Sequence, residues 1–312
     1  MEKLAGKIGL SWRHGELLSG ILLVAALGCA ALPSVGPLVD ASNQLRSAVE
    51  TSGAAVETEL RLMSGGASQA DQLHRQWKAR NEAFAALTAY AHSLQDIIAA
   101  GESGAATAEK IADSVAALAK GAGVALPGSP EAVSVVTDAA KFISAQIAIA
   151  RAAKSLEQSL VAAQPAVDEI CRLIASDLHD LDDIFVAAAT ATDDAIRAEY
   201  GDVIGYRRRL LKQLSGSDPA HPGNEGTQAN LAQALQGTDG VYAEYLARRK
   251  EIADRLRAGR ALIQAAAQSA NEWSVAHGNL VTAMKERRPV NVDSLVNAAV
   301  EIQKLVNRVR EL

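Results

Sequence analysis

The chain has 312 residues, a net charge of −5 and only 4% aromatic residues, although 49% of it is hydrophobic. Much of that apolar content is alanine, the strongest helix former and a residue depleted in strands. Alternating runs of Val, Ile, Thr and Tyr are absent, which excludes a β-rich fold, and the acidic balance excludes the basic footprint of nucleic-acid binding. The two cysteines, Cys29 and Cys171, are too few for a disulfide framework.

In chain order, Lys3, Lys7 and Arg13 come first. An uncharged run from Leu17 to Val39 follows, bracketed by Glu16 and Asp40. A basic start before a short apolar core is what a secretory signal requires. The core from Leu17 to Leu27 ends in Ala26-Leu27-Gly28-Cys29, small residues before a cysteine. Residues 1–29 therefore resemble a bacterial lipoprotein signal. The resemblance implies cleavage before Cys29, acylation of its thiol and a membrane-anchored protein facing the periplasm. In that family an aspartate after the cysteine goes with inner-membrane retention; Ala30 stands there instead, which implies the outer membrane. A competing reading keeps the run as an uncleaved transmembrane helix, since it exceeds the about 20 residues a bilayer core needs. Pro33 and Pro37 suit an extended tether better. A plain cleaved signal or a buried helix is the third reading. The expected organisation is a signal peptide over 1–28, a lipid-anchored tether over 29–40 and a helical domain over 41–312.

Beyond residue 40, clusters of Gly, Ser and Pro at 63–68, 100–105, 121–131, 215–226 and 287–291 mark breaks. Between them apolar residues recur at steps of three and four. One seam is Ala70, Leu73, Trp77, Arg80, Phe84, Leu87, Ala91, Leu94 and Ile98, with Arg80 the single polar member. Val136, Ala140, Ile143, Ile147 and Ala150 form another, and Leu156, Leu160, Val167, Ile170, Ile174, Leu178, Leu181 and Phe185 continue it. Pro165 suits the first turn of a helix, so the reading breaks the run there. A long seam starts at Tyr242 and Tyr245 and continues through Arg249, Ile252, Leu256, Gly259, Ile263, Ala266, Ala270, Trp273, His277 and Leu280 to Met284. Val292, Leu295, Ala299, Ile302, Val306 and Val309 close the chain. Sustained heptads imply coiled-coil-like packing, and short breaks between long helices make neighbours antiparallel. The expected fold is all-α: an elongated up-and-down antiparallel bundle of five to seven helices. On its outer faces, Glu244 with Arg248 and Glu251 with Arg255 stand four apart in the favourable order for ion pairs.

Candidate chemistry is sparse. "SDLHDLDD" (176–183) places His179 and Asp183 on one helical face beside Asp180, a possible metal trio, but Leu178, Leu181 and Phe185 turn that face outward. His277 sits on the long seam, where a neutral, hydrogen-bonded imidazole is the ordinary reading and a pH-dependent switch the sharper one. "YRRRLLKQL" (206–214) is a basic helical stretch, suited to solvent or to phosphates and acidic partners. Cys171 reads as a small buried hydrophobe. The segment 121–136 carries Val124, Leu126, Val133, Val135 and Val136 around a turn, an apolar tip that packs internally or enters a membrane. Metalloprotease, di-iron and phosphate-loop spacings do not occur. The sequence thus predicts no catalytic, cofactor or metal site and a single modified residue, the lipidated Cys29. It points to a non-catalytic envelope lipoprotein that is structural or binds an envelope protein. The alternatives are a membrane-active protein that inserts the 121–136 tip and a ligand-sensing bundle.

Overall fold

A computed structural model describes residues 35–101, 104–122, 130–215 and 225–312. The described residues form nine helices and no strand: α1 (Gly36–Leu62), α2 (Ala67–Ala99), α3 (Ala105–Ala122), α4 (Pro130–Arg151), α5 (Leu156–Glu199), α6 (Gly201–Ser215), α7 (Glu225–Gln236), α8 (Asp239–Glu286) and α9 (Asp293–Arg310). The fold is an all-α antiparallel bundle. Residues 1–34, and with them Cys29 and the signal segment, lie outside the described residues, as do 123–129 of the apolar tip. Among the described residues no helix is long and apolar enough to cross a membrane.

The heptad seams are the core. Every seam position from Ala70 to Ile98 is buried, Arg80 included. In α8, 48 residues and about 72 Å long at 1.5 Å per residue, every seam position from Tyr242 to Met284 is buried or half-buried. Up to Ile252 the buried stripe is narrow, because α5 is the main neighbour there. From Ala258 onward Leu262, Ala267, Ser269, Ala276 and Ala283 join it, because α1 and α9 also pack on α8. Polar contacts fix the directions. Asp193, Asp182 and Asp168 of α5 meet Arg249, Arg260 and Ser274 of α8, and Ser42 and Glu59 of α1 meet Trp273 and Arg255. Both pairings are antiparallel, so α1 and α5 run the same way.

Two crossings are closer than a side chain allows. A Cβ at Gly53 would lie 2.1 Å from Trp77 Cδ1, and one at Gly259 would lie 2.3 Å from Phe185 Cε1. Glycine at these positions lets α2 approach α1 and α5 approach α8 with an aromatic ring between each pair.

Nine helices exceed the expected five to seven. Helix ends flank each of the five expected Gly, Ser and Pro breaks, but three further junctions, each with only one or two such residues, are not among those expected. One is 152–155, after which Ser155 caps α5: its hydroxyl accepts from the Gln158 amide N–H at 3.2 Å, and the Gln158 side chain accepts from the Lys154 amide N–H at 3.1 Å. That is a capping box set one residue early. The others fall at Tyr200 and at Gly237-Thr238. Conversely, Pro165 breaks nothing and sits inside α5. Its missing N–H leaves the carbonyl of Val161 without its helical donor, and Val161 is 49% exposed, so water is available there. The buried Ala163, Ala166 and Val167 hold the helix through that point.

The start of α1 also differs from expectation. Gly36 to Asp40, read as tether, form its first turns. Pro37 occupies the first turn, where a proline loses no helical bond, and Leu38 and Val39 are core residues.

Candidate functional site

The bundle interior holds a polar relay built on three helices. The Tyr90 hydroxyl of α2 lies 2.6 Å from Nε2 of His277 on α8, and His277 Nδ1 lies 2.6 Å from Oε1 of Gln164 on α5. The Gln164 amide group donates to Asp168 at 2.6 Å and to the Ser274 carbonyl at 3.2 Å; the Ser274 hydroxyl also donates to Asp168. With Gln164 Oε1 as acceptor, the proton sits on Nδ1, and Nε2 accepts from Tyr90. A neutral ring is therefore satisfied on both sides. His277 and Tyr90 are fully buried. Burial lowers the His277 pKa to about 4, opposed by the charge of Asp168, and pushes the Tyr90 hydroxyl far up. Trp273 stacks on His277 at 5.8 Å and donates to Ser42 Oγ of α1 at 2.8 Å, which brings the fourth helix into the network.

Ion pairs extend along the same interfaces. Arg80, 2% exposed, places Nε 2.5 Å from Asp177 on α5, while its Nη2 finds no acceptor. Desolvation raises the Asp177 pKa to about 6 against the pull of Arg80. Asp182 takes both Nε and Nη2 of Arg260 at 3.0 Å. Glu59, 1% exposed, accepts from Arg255 at 3.1 Å through Oε2, and its Oε1 has no partner. Asp193 takes Arg249 in a two-point contact, whose hydrogen bonds hold its carboxyl below the usual range.

Beyond Ala189 the α5–α8 pair carries its own small core of Ala189, Ile196, Tyr200, Tyr245 and Ile252. It leads to α6 and α7, which pack on each other and barely touch the rest. Arg207 of α6 clasps this end. It donates to the Leu235 carbonyl at 3.1 Å and to Thr238 and Asp239 at 2.6 Å, and its guanidinium lies 4.4 Å above the Tyr242 ring.

The residues singled out by sequence are placed as follows. His277 is the centre of the relay. Cys171 is buried and free, its thiol pushed far up by burial and then by Asp168. His179, Asp180 and Asp183 face solvent, and among the described residues no group of His, Cys, Asp and Glu is arranged to hold a metal ion. Within the same acidic stretch Asp177 and Asp182 turn inward, which its run of charges concealed. In the basic stretch Arg207 is a structural clasp. Glu251 pairs with Arg255 as expected, at 2.7 Å, but Glu244 and Arg248 part: Glu244 accepts from Tyr200 and Arg248 reaches Glu199. Sequence reasoning missed Tyr90, Gln164 and Glu59; the polar Arg80 on an apolar seam was the one available signal of buried pairing. No known protein family, curated protein or solved structure matches this chain.

Proposed function

We propose that the chain is a non-catalytic structural or protein-binding element of the bacterial cell envelope. A lipid on Cys29 moors it, and the α6–α7 end of its long hairpin meets the partner. The carrying observation is that end. Leu210 is the single buried residue of α6, and no described side chain of α7 is buried. Around the clasp Tyr206 (41%), Leu211 (51%), Val241 (44%) and Leu246 (47%) stay exposed. Apolar groups kept in water on a braced projection suit docking. The mooring rests on the Ala26-Leu27-Gly28-Cys29 stretch.

Two measurements test this. The intact mass of membrane-extracted protein should equal an acylated chain that starts at Cys29; an uncut chain from Met1 would reject the lipid anchor. Cross-linking in whole cells should give a discrete envelope adduct that Leu211→Asp abolishes. An adduct indifferent to Leu211→Asp, or none, would reject the docking end.

A further inference from the structure

Helix α4 is apolar on two sides. Ile143, Ile147 and Ala150 are buried, in packing made chiefly with α3 and α5. A second stripe, Phe142, Ala145, Ile149 and Ala152, advances by three, four and three residues, and all four positions are exposed. At about 100° per residue it lies roughly opposite the buried one. Phe142 is 44% exposed and Ile149 55%, whereas the other two phenylalanines of the chain, Phe84 and Phe185, are core residues. No charged residue occurs from Phe142 to Ala150, although the solvent side of a surface helix ordinarily carries charges. The first to follow, Arg151, is drawn to Asp113 of α3 at 2.6 Å.

The exposed stripe has the spacing of a coiled-coil seam, with Phe142 and Ile149 at a positions and Ala145 and Ala152 at d. Ala152 belongs to it, because its amide N–H still donates to the Ala148 carbonyl at 3.1 Å. Its order of sizes, large, small, large, small, is complementary to its own reversal. Let a second α4 run antiparallel about a two-fold axis at residue 147. Phe142 of one copy then faces Ala152 of the other, Ala145 faces Ile149, and the symmetry repeats both layers. Every large side chain meets an alanine, which lets the helix axes approach to about 8 Å. A parallel pair would set Phe142 against Phe142 and Ala145 against Ala145, alternating crowded layers with empty ones.

We propose that the outer face of α4 is covered by the same face of a second copy of this chain, in an antiparallel two-fold pair. The size pattern selects this occupant, since a lipid surface or an unrelated protein does not require a stripe that fits its own reversal. The seam is about 15 Å long from Phe142 to Ala152 at 1.5 Å per residue. That is short of the ~800 Å² per partner of a standard interface. The pair is therefore reversible, with a Kd on the order of micromolar. It rests neither on the lipid mooring nor on the hairpin end, so it stands or falls separately from them.

The test is sedimentation equilibrium of the full-length protein in a density-matched detergent. A reversible monomer–dimer equilibrium is expected. Ile149→Asp, at an exposed position, should keep the Tm of dilute protein and leave only monomer. Phe142→Ala opens a void in two symmetry-related layers, and Ala152→Phe sets ring against ring in the same two. Each should weaken the dimer by about tenfold or more. Combining them restores a large residue opposite a small one, so Phe142→Ala with Ala152→Phe should dimerise more tightly than either single variant. Loss of a merely greasy patch would show no such rescue. A monomer at every concentration up to about 1 mM overturns the proposal. So does an oligomer that Ile149→Asp leaves intact, or a double variant no tighter than the weaker single one.

Discussion

At Gly53 one hydrogen atom decides whether α1 and α2 can meet. Trp77 lies across this glycine and donates to the Val49 carbonyl at 3.0 Å. Gly53→Ala should cost about 1–3 kcal/mol by overpacking, read as a lower urea midpoint with an unchanged slope. His277 and Asp177 make opposed pH predictions. Desolvation brings the histidine from an unfolded value near 6.5 to about 4. Its contribution is intact at neutral pH and is lost as pH falls from 6.5 to 4, by about 3 kcal/mol at 1.36 kcal/mol per pKa unit. Desolvation raises the aspartate from 3.8 to about 6. Its contribution is intact below pH 3.8 and is lost as pH rises to 6, by about 3 kcal/mol. In the native protein the two nearly cancel. Denaturant melts at a series of pH values should separate them. Relative to the native protein, His277→Leu should lose stability as pH rises through this window, and Asp177→Asn should lose it as pH falls. His277→Leu should also be weaker at pH 7, by about 2 kcal/mol, because Tyr90 and Gln164 lose a partner in the core. The sequence marks His277 as a seam residue and goes no further, since its partners stand 187 and 113 residues away.

Among the elements, legibility follows what ends a helix. Breaks written in Gly, Ser and Pro can be read directly, because those residues change the backbone's own preferences. The break at Tyr200 is harder to read, because a single glycine, Gly201, marks it and Tyr200 is itself a core residue. Pro165 misleads for the converse reason: the local penalty of about 3 kcal/mol is outweighed by burial on either side. The box at Ser155 was present as Ser-Leu-Glu-Gln in an unbroken apolar rhythm; Ser155→Ala should cost about 1 kcal/mol, measurable by thermal denaturation. The seams of α2, α8 and α9 were fully legible because a heptad needs only the apolar identity of each position. Their partners were not: pairing of α5 with α8 depends on contacts such as Asp182 with Arg260, 78 residues apart. Arg207→Ala removes the clasp between α6 and the α7–α8 junction. Amides of α6 and α7 should then exchange with deuterium markedly faster, while the global Tm moves little.

On the scale of the whole helical unit there are two cores of unequal size. The large one unites α1, α2, α3, α4, α5, α8 and α9; the small one serves only the hairpin. Opening free energies should therefore fall along the α5–α8 pair from Trp273 towards Tyr245. Hydrogen exchange at increasing denaturant should show the α6–α7 end opening below the global transition, and uniform protection along α8 would contradict this.

Leu38 and Val39 are fixed within the first turn of α1, three and four residues after Val35, and α1 lies along α2, α5, α8 and α9. A tension applied at Val35 thus finds no slack coil to extend. It loads several helix interfaces lengthwise and together, in shear, so the bundle should yield abruptly at a high force instead of unravelling turn by turn.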